Sequence, residues 1–153
     1  MLPTNSLNKT KLYIVGGNGD GIDFLKGIIE ELNLSKNIFI EIDISNSRKI
    51  ELYKSSNLYI QPSYYEGFGN SVLEAMTYGT PCLVSSYTAQ PEVVFGTGYT
   101  IKKISKLDIY EAILDYSNKS INARQKMIED VKHVVIKNHS YDSRLKDYLL
   151  LIK

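Results

Sequence analysis

Apolar and polar positions follow two alternating rhythms through the first half of the chain. "KLYIV" (11–15), "NIFIEI" (37–42), "NLYIQP" (57–62) and "PCLVSS" (81–86) are short and rich in β-branched or aromatic residues, so each reads as a buried strand. Between the first two lies "DFLKGIIEELNL", with Phe24, Leu25, Ile28, Ile29 and Leu32 on one helical stripe. "SRKIELYKSS" (47–56) and "NSVLEAMTYG" (70–79) repeat the helical rhythm, the latter ended by Gly79 and Pro81. Parallel strands need crossover helices, so the alternation predicts βαβ units and an α/β fold with a parallel sheet flanked by helices.

After Pro91 the pattern is mostly helical. "KLDIYEAILDYSN" (106–118), "NARQKMIEDVKHVVIKN" (122–138) and "SYDSRLKDYLLLIK" (140–153) carry apolar stripes, broken near Ser117–Ser120 and Asn138–Ser140; "GTGYTIKKI" (96–104) offers one more strand. No repeat, low-complexity tract or linker interrupts the run, which predicts a single domain over 11–153 behind a ragged segment, 1–10.

Composition narrows the function classes. The 153 residues are 43% hydrophobic and 23% charged, the balance of one globular domain. A net charge of +1 without a basic block removes the electrostatic case for nucleic acid. The apolar runs are too short to span a bilayer, and "MLPTNSLNKTK" lacks the apolar segment of a signal peptide. A single cysteine, Cys82, rules out an internal disulfide and fits a reducing compartment, so the expected location is cytoplasmic.

Two glycine-rich stretches could carry chemistry. "VGGNGDG" (15–21) joins a strand to a helix but fits neither the dinucleotide fingerprint nor a Walker loop, and reads as a turn with Asp20 or Asp23 near the helix start. "EGFGNSVLEAM" (66–76) is richer. Stepping 100° per residue from Asn70 puts Val72, Ala75, Met76 and Gly79 on the sheet-facing side and Glu74 opposite. The first-turn amides would then point out of a strand's carboxyl end as an anion site, with Gly67 and Gly69 allowing close approach of a ligand. Taken alone, the spacing of Glu66 and Glu74 favours the plainer reading, an exposed turn residue and a helical surface charge. His133 and His139 lack the spacing of a zinc site, and no metal is called for.

The flanks add a resemblance. Pro62-Ser63 before Glu66, Glu-Ala-Met at Glu74, Gly79-Thr80-Pro81, Pro91-Glu92-Val93-Val94, and above all two glutamates separated by seven residues resemble retaining glycosyltransferases of family four. The likeness runs from about Lys11 to the end and includes the closing "NHSYDSRLKDYLLLIK". It implies a Rossmann-like parallel sheet, the C-terminal, nucleotide-sugar-binding half of a GT-B fold. It further implies that Glu66 is the catalytic-site carboxylate at the transferred sugar and that Glu74 holds the ribose. The amides of Phe68, Gly69 and Asn70, in the turn opened by Gly67, would hold the sugar, and those of Asn70 and Ser71 a phosphate. The donor would be a nucleotide-diphosphate sugar, with no cofactor. A saccharide or lipid-linked acceptor would be bound through an N-terminal domain or separate subunit, with the assembled enzyme peripheral to the inner membrane face.

Two departures bear on this. The family's arginine and lysine pair upstream of the first strand is not matched by Lys9 or Lys11, and Glu41 stands where the family shows a glycine before the base-binding loop. The isolated chain is therefore expected to bind donor weakly and to transfer no sugar. The rival readings are a non-catalytic nucleotide-sugar-binding or partner-docking module and, less favoured by the motif, a GT-B-type epimerase.

Overall fold

The computed structural model describes residues 10–143 and Leu145. These form two compact units whose boundary falls between Lys49 and Ile50.

The first unit contains β1 (Leu12–Gly16), α1 (Gly21–Glu31), β2 (Ile38–Ile42) and the start of α2 (Asn46–Ser55). β1 and β2 pair in parallel, with Leu12 opposite Ile38 and Tyr13 opposite Phe39. The Tyr13 and Phe39 rings stack, centroids 5.2 Å apart, and the Arg48 guanidinium lies over Tyr13. Both strands are edges here, so burial is partial: Leu12 and Val15 are 41% and 44% exposed, against the expectation of a buried strand. On α1 the predicted stripe is buried only at its centre, at Ile29. Phe24, at the stripe's margin, and Leu32, at the helix end, stay open. Asp20 precedes α1 without a side-chain cap, and Asp23 pairs with Lys26 in its first turn.

The second unit holds the rest of α2, then β3 (Tyr59–Gln61), α3 (Asn70–Thr77), β4 (Cys82–Ser85) and α4 (Gln90–Val94). β5 (Tyr99–Ile101), α5 (Lys106–Asn118) and α6 (Ile121–His139) follow. β3, β4 and β5 form a parallel sheet with β4 in the middle. That position explains why "CLVS" is buried throughout. Cys82 and Val84 face a core built with Val72, Ala75 and Met76 of α3, Val93 and Val94 of α4 and Val131 of α6. Leu83 faces the other way, onto Ile101 and Ala112. The architecture is thus α/β with parallel strands flanked by helices, its strand ladder divided into a pair and a triplet. The candidate strand at 96–104 is β5, and the predicted break near Ser117–Ser120 separates α5 from α6, each opened by a serine cap, Ser105 and Ser120. Most of the closing helix predicted over 140–153 lies outside the described residues.

Candidate functional site

β3 ends at Gln61, and its carboxyl edge feeds the loop that reaches α3. The turn into α3 is made by Gly69, at φ 90° and ψ 47°, a left-handed conformation costly for any residue with a Cβ. The first helical bond runs from Leu73 N–H to the Gly69 carbonyl, 3.1 Å. No side chain caps this end, so the amides of Asn70, Ser71 and Val72 precede the hydrogen-bonded ladder with the positive end of the helix dipole behind them. A Cβ on Gly69 would meet Val72 and Gln90 only at ordinary contact distances, so conformation rather than space requires glycine there. Gly67 differs: its φ lies outside the left-handed range, and a Cβ would find no atom within 4 Å.

Both glutamates of the motif are half-buried and held. Glu66 Oε1 accepts from Gln61 Nε2 at 2.5 Å and from Ser63 Oγ at 3.3 Å, while its backbone N–H donates to Thr88 Oγ1 at 3.0 Å. Glu74 Oε2 accepts from the Tyr53 hydroxyl at 3.2 Å. Burial pushes the phenol of Tyr59 up to about 12, and Tyr53 also upward, chiefly by burial and then through Tyr59 and Glu74. Both phenols therefore stay protonated near neutrality and act as donors.

Gln90 ties the loop to the sheet. It is fully buried, donates from Nε2 to the Gln61 carbonyl at 2.9 Å, and accepts at Oε1 from Ser85 N–H at 3.1 Å. The Ser85 hydroxyl sits between Gln90 Oε1 and the Ser63 carbonyl. Phe68 turns into the core and meets His139 edge-on, and His139 Nε2–H donates to the Val93 carbonyl at 2.9 Å. The Gly67–Gly69 backbone is thus anchored by an apolar side chain at its middle. Just outside it, Tyr64 and Tyr65 are exposed, and Tyr64 meets Tyr87, ring centroids 5.5 Å apart.

Every site residue expected from the sequence therefore lies on this one segment: Glu66, Gly67, Phe68 and Gly69 in the loop, Asn70 and Ser71 in the first helical turn, Glu74 in the second. Sequence reasoning missed the residues that hold them, namely Tyr53, Gln61, Thr88 and Gln90. For Gln61 a signal existed, a lone amide in the otherwise apolar run "LYIQP"; for Thr88 and Gln90 there was none. Glu41, which departs from the family pattern, is engaged in the first unit, where Arg48 bonds both its oxygens at 2.6 and 2.9 Å. That hydrogen bonding holds its carboxyl below the ordinary range. Lys11 lies over the Phe39 ring. Among the described residues, no three or more His, Cys, Asp or Glu side chains gather as a metal site would require.

A cavity of about 430 Å³ lies elsewhere, lined by Thr97, Tyr99, Lys119, Asp130 and His133 among others. It adjoins the amino end of β5, opposite the carboxyl edge where open α/β sheets hold ligands, and it contains neither motif glutamate.

The family described as "Glycosyl transferases group 1" matches residues 1–134, most of the chain, with the Glu66–Glu74 segment inside the match. The chain belongs to this family. It is 33% identical over 81 residues to an uncharacterized glycosyltransferase from Methanocaldococcus jannaschii, covering 53% of this chain and 21% of that one. It is 47% identical over 47 residues to the O-antigen chain mannosyltransferase B of Escherichia coli, covering 31% and 12%. TarM of S. aureus, solved with UDP, fondaparinux and alpha-GlcNAc-glycerol, superposes with a TM-score of 0.80 at 25% identity over 96% of this chain and 30% of that one. WaaG, a glycosyltransferase involved in lipopolysaccharide biosynthesis, superposes at 0.75 with 22% identity over 93% and 37%. The fold is therefore that of a GT-B glycosyltransferase domain, and the chain spans well under half the length of each of these relatives.

No helix of the described residues is long and apolar enough to cross a membrane.

Proposed function

We propose that this chain is the donor-binding domain of a retaining glycosyltransferase of family four, acting on a nucleotide-diphosphate sugar. The observation that carries the reading is the segment after β3: two held carboxylates, Glu66 and Glu74, on either side of an uncapped helix start opened by a left-handed Gly69. Carboxylates accept from sugar and ribose hydroxyls, while the amides of Asn70 and Ser71 suit a phosphate. Glu66, whose Oε1 is already engaged, meets the transferred sugar. Glu74 meets the ribose, and the backbone from Phe68 to Asn70 cradles the sugar between them. The departing diphosphate needs positive partners, which helix-start amides supply in part. The relatives named for O-antigen and lipopolysaccharide synthesis support a hexose-type sugar passed to a saccharide or lipid-linked acceptor in surface polysaccharide assembly. Since positioning both reactants accounts for much of such a rate, acceptor binding and transfer belong to the longer assembly.

Calorimetric titration of the chain with UDP, GDP, ADP and their hexose adducts tests this. Glu74→Ala should lose affinity for the bare nucleoside diphosphate, by roughly 1.5–3 kcal/mol for a charged hydrogen bond. Glu66→Ala should lose chiefly the increment due to the sugar. Binding of none of these nucleotides by the wild type, or an unchanged diphosphate affinity in Glu74→Ala, would overturn the reading.

A further inference from the structure

We infer that Gln61 is a positioning residue that fixes the Glu66 carboxylate and turns its Oε2 alone toward the sugar of the donor. The inference deepens the donor-site reading and rests on it. Gln61 is held at both ends. Its backbone carbonyl accepts from the fully buried Gln90, and its side-chain Oε1 accepts from the Tyr59 hydroxyl at 2.6 Å. An amide has one acceptor and one donor end, so engaging Oε1 with Tyr59 leaves Nε2 aimed at Glu66. There it donates to Oε1 at 2.5 Å, and Ser63 Oγ approaches the same oxygen. Oε2 has no protein partner among the described residues.

The amide orientation depends on Tyr59 acting as a donor, which its half-buried, protonated phenol does throughout the neutral range. Without that phenol the amide could flip and present its own oxygen to the carboxylate, repelling it. A carboxylate with one oxygen tied can accept from a sugar hydroxyl through the other without first losing rotamer freedom, which is the physical meaning of preorganisation. Gln61 thus acts through Glu66 and touches no reacting atom.

Two arms test this on the full chain. Without ligand, the Gln61 side-chain amide protons are followed by ¹⁵N-resolved NMR. Glu66→Ala and Tyr59→Phe should each move the hydrogen-bonded proton upfield; an unmoved signal in Glu66→Ala overturns the inference whatever the chain binds. With ligand, the affinity ratios of UDP-glucose to UDP and GDP-mannose to GDP are measured in wild type, Gln61→Leu and Tyr59→Phe. Gln61→Leu should lower the sugar increment about tenfold while sparing the bare diphosphate, the scale of one lost hydrogen-bonding partner. Tyr59→Phe, a smaller change, should lower it less. An unchanged ratio in Gln61→Leu, whether both affinities fall together or neither falls, would refute the sugar-facing role of Gln61. A wild type that binds no nucleotide removes the donor-site reading and the sugar-facing role with it, while the NMR arm still decides whether Gln61 holds Glu66.

Discussion

Gly67 and Gly69 flank Phe68 in one turn, yet the structure predicts different effects on stability for replacing each with alanine. At Gly69 the backbone sits at φ 90°, where a Cβ costs about 1–2 kcal/mol even though its contacts, no closer than 3.7 Å, leave room for it. For a chain of this size that loss lowers the melting temperature by about 2–4 °C per kcal/mol. It also shifts the first-turn amides, so binding of nucleotide should fall together with stability. At Gly67 the φ is ordinary and the Cβ would meet nothing within 4 Å. Gly67→Ala should therefore leave stability unchanged or raise it by about 0.4–1 kcal/mol, through a less flexible unfolded chain. If a donor sugar lies against this backbone, the same methyl group occupies its space. Affinity for the sugar nucleotide should then drop about tenfold or more, ~1.4 kcal/mol per decade. Urea denaturation of both variants, alongside calorimetry with the nucleotide sugar that wild type prefers, separates the two effects. A Gly67→Ala protein destabilised like Gly69→Ala would refute the conformational argument, and one that binds the donor as well as wild type would refute the assignment of this backbone to the ligand.

Gly98→Ala should be far more damaging than either, because at φ 77° its Cβ would lie 2.2 Å from the Cys82 carbonyl oxygen, backbone that cannot step aside without disturbing β4; loss of the cooperative unfolding transition at room temperature is expected, and a stable variant would refute it. Alkaline pH should also destabilise the protein. Burial raises the Cys82 thiol from 9.0 to about 12, so above pH 9 the unfolded chain releases this proton while the folded one keeps it, and stability falls with rising pH by up to about 1.4 kcal/mol per unit for the group. In Cys82→Ala that part of the slope should vanish, as urea midpoints between pH 8 and 10.5 would report.

The parts of this protein written into the sequence are those governed by local rules. The strand-helix alternation follows from short β-branched and aromatic runs set against helical stripes of period 3.6, and the Val72, Ala75 and Met76 face of α3 was readable by counting turns, since a helix presents the same face whatever it packs on. The spacing of Glu66 and Glu74 needed only the resemblance of the surrounding motif. Tertiary structure decided how deeply each element is buried. "KLYIV" and "PCLVSS" look alike as strings, yet β4 is central and covered on both faces while β1 is an edge, and no local pattern counts a strand's neighbours. It also decided what holds the glutamates. Gln90 reaches Gln61 across 29 positions, Thr88 reaches Glu66 across 22, and Tyr53 reaches Glu74 across 21. Such partners meet only after β3, β4 and their helices have packed, because a hydrogen bond depends on distance and angle in space, and sequence separation carries neither.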